Sequence, residues 1–153
     1  MRELIQDKWR QEEVPIMDGV LYSDGRIVLF SYESVEHRGE RGLHVVINGE
    51  TTLADFLARD PDMWTSIIEM DSVTWDGGGL RILSGGCGFG SDGFVAAIRL
   101  PDEQLLWVAV SQRSNPFRAL DRGDGYVLAT TELGQVWRFS LPYPESVAAG
   151  WPD

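Results

Sequence analysis

A mainly β fold, a twisted antiparallel sheet or meander of hairpins carrying one or two short helices, is expected from three features of the chain. Ser23-Asp24-Gly25-Arg26 separates the apolar runs Val20 to Tyr22 and Ile27 to Tyr32, and Asp-Gly between such runs is a strong hairpin signal. In the run from Gln135 to Leu141, Trp137, Phe139 and Leu141 alternate with Val136, Arg138 and Ser140, the period of a strand with one wet face. Leu105 to Val110 is apolar at every position, which places it at the centre of a sheet covered on both sides.

Taken in order, the elements begin with a helix over Arg2 to Glu13, with Leu4, Ile5 and Trp9 as its apolar contacts and Pro15 as its stop. The Asp24-Gly25 hairpin follows, and Leu43 to Ile47 reads as a further strand ended by Asn48-Gly49. Thr52-Leu53-Ala54-Asp55 looks like a capped helix start, with Leu53, Phe56 and Leu57 on one side. That helix should fail at Asp60-Pro61, because a residue before proline avoids helical angles. Asp62 to Ile68 is expected to form a second short helical turn through Met63, Trp64 and Ile67. Val73 to Trp75 and Leu80 to Leu83 flank three glycines. Phe94 to Leu100 and Gln104 to Ser111 surround Pro101-Asp102-Glu103, and Tyr126 to Thr131 and Gln135 to Leu141 surround Glu132-Leu133-Gly134. The last two hairpins resemble each other: Asp92-Gly93-Phe94-Val95-Ala96-Ala97 aligns with Asp124-Gly125-Tyr126-Val127-Leu128-Ala129, and the return strands carry Trp107 and Trp137. Two copies are too few for a closed propeller.

The 153 residues are expected to form one domain, residues 1–153, without a staple. A chain of this size buries roughly 70% of the surface its unfolded form exposes. Cys87 stands alone, so no disulfide can form within the chain. The charged start, Met1-Arg2-Glu3-Leu4, lacks the apolar core of a signal peptide, and a cytoplasmic location is expected.

Charge is the strongest functional signal. The chain has 24 Asp and Glu against 13 Lys and Arg, a formal charge of −11. Glu50, Asp55, Asp60, Asp62, Glu69, Asp71 and Asp76 share their stretch with a single base, Arg59. Such a balance opposes binding to nucleic acid and to anionic membranes, and it accelerates encounter with a basic protein. The seven acids, with Trp64 as an aromatic anchor beside Asp60 and Asp62, are the expected partner-binding residues.

Other chemistries find less support. Gly88, Gly90 and Gly93 match a dinucleotide fingerprint in spacing, but a strand pattern follows where the fingerprint needs a helix. The Gly85 to Gly93 segment reads instead as a flexible or bulged connection, with ligand binding or a small enzyme as the alternative function. Cys87 would need His44 or His37 as a base, and neither has motif spacing. The chain has no Cys-x-x-Cys or His-x-x-x-His and no twelve-residue calcium loop, so neither a metal nor a cofactor is expected.

Gly90-Ser91-Asp92-Gly93-Phe94-Val95-Ala96, Leu106-Trp107, Asn115-Pro116-Phe117 and Trp137-Arg138-Phe139 ahead of Pro144-Glu145 are the carriers of a family likeness. In these motifs the chain resembles the immunity proteins that bacteria encode beside polymorphic toxins, over roughly Gly85 to Glu145. The resemblance implies a non-enzymatic function: stoichiometric inhibition of a cognate toxin by binding. It carries over no toxin-contacting residue. An acidic scaffold module, whose charge serves solubility alone, is the remaining alternative.

Overall fold

Strand takes up 58% and helix 11% of the chain in a computed structural model that describes residues 1–75 and 77–152. The elements are α1 (Arg2–Arg10), β1 (Glu13–Pro15), β2 (Gly19–Tyr22), β3 (Arg26–His37), β4 (Glu40–Thr52), α2 (Leu53–Arg59) and β5 (Trp64–Trp75). They continue with β6 (Leu80–Cys87), β7 (Gly93–Arg99), β8 (Gln104–Ser111), β9 (Phe117–Arg122), β10 (Tyr126–Thr131), β11 (Val136–Ser140) and β12 (Val147–Gly150). The strands divide between two antiparallel sheets, an eight-stranded one in the order β1-β5-β6-β7-β8-β2-β3-β4 and a four-stranded one in the order β12-β11-β10-β9. The two similar hairpins therefore lie in different sheets.

Two apolar layers follow from strand periodicity. From β7, Phe94, Ala96 and Ile98 face one layer with Ile5, Leu53 and Val108, beneath the helices. Val95 and Ala97 face the other, between the sheets, with Trp107, Phe117, Val127, Trp137 and Phe139. In β8 the register shifts opposite Ala97 and Ile98, leaving Leu106 without a cross-strand partner. That bulge lets Leu105 enter the helical layer while Trp107 enters the other.

A bulge also frees backbone groups, and α1 satisfies them. Gln6 donates from Nε2 to the Leu105 carbonyl at 2.9 Å and accepts from the Leu105 amide at 2.8 Å. Trp9 packs edge-on against Phe94, with ring centroids 6.3 Å apart. The helix ends at Arg10, earlier than its sequence pattern implies, because Glu12 takes a φ of 59° and Glu13–Pro15 pair with β5. α2 matches its expected limits: Thr52 Oγ1 accepts from the Asp55 amide at 3.1 Å, and Asp60 is extended.

The segment from Asp62 to Ile68 is not a helical turn. Trp64–Trp75 is one twelve-residue strand, held by β1 on one side and by β6 on the other. Spacing of Met63, Trp64 and Ile67 fits either period in so short a run, and pairing on both edges decides it.

β3 and β4 extend past β2 as a two-stranded arm from about residue 30 to residue 47, turning through Arg38-Gly39 with both residues at positive φ. Such a turn matches the twist of the strands it joins. The small sheet reaches this arm through Gln135, whose Oε1 accepts from the Leu43 amide at 3.3 Å and the Trp137 indole at 3.1 Å. Its Nε2 donates to the Leu43 carbonyl at 2.8 Å. At the far side Asp71 Oδ2 accepts from the Leu120 amide at 2.7 Å, tying β5 to β9. Gln135→Leu is expected to lower stability by about 1–3 kcal/mol, since buried groups lose their partners; urea unfolding measures it, and a change below about 0.5 kcal/mol contradicts the tie.

Candidate functional site

The acids that cluster in sequence do not form one surface. Glu50, on β4, pairs with Arg26 at 3.1 Å, and the Arg26 guanidinium lies 4.3 Å from the centre of the Tyr22 ring. Tyr22 in turn donates to Glu145 beside the small sheet. Burial, then the Glu145 carboxylate, raises the Tyr22 phenol above its ordinary range. Glu69, on β5, pairs with Arg81 at 3.3 Å. Asp71 has both oxygens engaged within the fold, by Ser72 and Leu120. Glu50 and Glu69 belong to strands at opposite ends of the large sheet. Asp76 lies outside the described residues.

Asp55 lies in the first turn of α2, and Asp60 and Asp62 lie in the turn that follows the helix. All three are exposed, and among the described residues none takes part in an ion pair. Asp60 Oδ1 accepts from the Asp62 amide at 3.0 Å, which fixes the turn. Trp64 follows at the start of β5. Its ring is half-buried against the helical layer, and the Lys8 ammonium sits 5.0 Å from its centre. A cation already rests on that face, so a partner's cation would reach it by displacing Lys8.

The glycine segment differs from the connection expected of it. Gly85, Gly86 and Cys87 belong to β6, and only the residues from Gly88 to Asp92 form the turn. A Cβ on Gly85 would overlap the Ile68 carbonyl oxygen, and one on Gly93 would overlap that of Asn115. Close strand packing accounts for both glycines.

Cys87 points into the helical layer, 6% exposed. Burial, with the nearby Asp92 carboxylate second, pushes its thiol from 9.0 up to about 12. Neither histidine is placed to activate it. His44 lies on β4, five strands away in the order β6-β7-β8-β2-β3-β4, and His37 stacks on Trp151 with centroids 5.2 Å apart. Among the described residues no group of three or more His, Cys, Asp or Glu is arranged to hold a metal ion.

The sequence reading passed over a cleft of about 420 Å³ beneath the β3–β4 arm. Arg41 and Glu36 line it from the arm, Arg113 and Asn115 from the loop after β8, and Thr131 and Gln135 from the small sheet. Only contact between distant segments reveals it. The Arg-Gly turn inside a run of polar residues was its one local signal. No family model matches the chain, and no curated protein or solved structure matches it significantly.

Because the folded protein holds the Cys87 proton more tightly than the unfolded chain, unfolding releases protons above pH 9. The resulting contribution to stability is whole below that pH and is lost as pH rises toward about 12. Cys87→Ser should cost about 1 kcal/mol at neutral pH and flatten this alkaline decline. Denaturation midpoints across the pH series measure both, and identical alkaline slopes contradict the buried thiol.

Proposed function

We propose that this chain is a stoichiometric inhibitor that neutralises a basic bacterial toxin or effector by binding it, as immunity proteins do. The observation that carries the reading is that Asp55, on α2, and Asp60 and Asp62, in the turn after it, are all exposed and outside any ion pair among the described residues. Like charges held together raise the energy of the free protein, and a basic partner relieves that repulsion.

The chemistry is that of competition for a cationic surface. A nuclease, for example, presents Lys and Arg to a phosphate backbone, and carboxylates arranged on α2 and its turn would occupy the same groups. Exposed acids chiefly speed encounter, whereas a desolvated aromatic chiefly slows departure. Trp64, beside the acids and already carrying the Lys8 ammonium, supplies the second element. Glu50 and Glu69 contribute to the long-range field while each keeps an internal arginine partner. The raised thiol of Cys87 supports a binding role over a nucleophilic one.

Surface-plasmon kinetics against the product of the neighbouring gene, across a salt series, test the reading. Reversing Asp60 and Asp62 to Lys should lower the association rate about tenfold or more at low salt and weaken its salt dependence. Trp64→Ala should chiefly raise the dissociation rate. Unchanged association in the double reversal removes α2 and its turn from the interface.

A further inference from the structure

We propose that the cleft beneath the β3–β4 arm binds a small anionic molecule bearing a carboxylate or phosphate group, held between Arg41 and Arg113. This goes beyond inhibition of a basic partner and uses a different part of the molecule.

Some arginines of the chain are held by acids, and Arg2, Arg38, Arg59, Arg118 and Arg138, like those of the cleft, form no ion pair among the described residues. Arg10, Arg26, Arg81 and Arg99 each pair with a carboxylate. Arg41 and Arg113 form no ion pair among the described residues, in a protein with 24 acids, and both line this one cleft. Glu36 is the cross-strand neighbour of Arg41 and lines the cleft too, yet the two form no salt bridge. Two guanidiniums and one carboxylate are the charged groups among the side chains that line the cleft.

The cleft is also built in advance. Its volume of about 420 Å³ falls in the usual range for small-molecule sites, roughly 300–1,000 Å³. Gln135 commits its amide to Leu43 and Trp137, which fixes the floor. On the other wall Ser111 Oγ accepts from the amides of Arg113 and Ser114 at 3.3 and 3.1 Å and meets the Tyr32 hydroxyl at 2.8 Å. Tyr32 is held by Asp18 at 2.8 Å, and the Arg113 guanidinium lies 5.7 Å from its ring centre. A planar guanidinium offers paired donors to a carboxylate or a phosphate, and the side-chain amide of Asn115 lines the cleft too.

Titrating the labelled protein with inorganic phosphate and, separately, with succinate, while following the arginine Nε–H resonances by NMR, tests the site and distinguishes the two ligand groups. Saturable shifts at Arg41 and Arg113 with either probe are expected in the millimolar range. Arg41→Gln and Arg113→Gln should each weaken binding at least tenfold. Glu36→Gln should tighten it, a change in the opposite direction that damage to the fold would not produce. Shifts that stay linear with both probes, or an affinity read at Arg113 that is unchanged in Arg41→Gln and read at Arg41 that is unchanged in Arg113→Gln, overturn the proposal.

Discussion

Strands β7 and β8 have no wet face along most of their length, and the rest of the molecule is arranged to cover them. Phe94, Val95, Ala96 and Ala97 are fully buried, and so is Val108 in β8. A sheet whose middle is apolar on both sides needs a layer on each. The helices and Trp9 provide one, and the aromatic side of the small sheet, Phe117, Trp137 and Phe139, provides the other.

Apolar contact alone would let these layers slide. They are registered by side chains that satisfy strand backbone: Gln6 on Leu105, Gln135 on Leu43, and Asp71 on Leu120. Each bond joins segments distant in sequence, and each meets peptide groups that the sheets themselves leave open. This has a consequence for function. An acid or amide used in this way is unavailable to a partner, whereas the exposed carboxylates of α2 and its turn are not spent on such ties.

The hairpins around Asp24-Gly25 and Glu132-Leu133-Gly134, the Thr52 cap and the central place of Leu105 to Val110 were legible because each depends on local chemistry or on simple alternation. The arm was not. Glu33, Ser34 and Glu36 leave it wet on both faces, so no apolar period marks it as strand. Trp64 to Ile68 was misread because its fate depends on partners on either edge. Division into two sheets was also hidden, since alternation looks the same whichever sheet a strand joins. For the candidate site, proximity in sequence matches proximity in the fold for Asp60 and Asp62, while Glu50 and Asp71 bond within other parts of the fold.

The proposed binding surface is tested most directly by hydrogen exchange of the free protein and of its 1:1 mixture with the neighbouring gene's basic product. Amides of β7 and β8 should exchange slowest in both states, reflecting their burial. On mixing, new protection should appear over α2 and the turn to Trp64. Protection that appears only elsewhere, or no change at saturating partner, would contradict a carboxylate surface on α2 as the seat of binding.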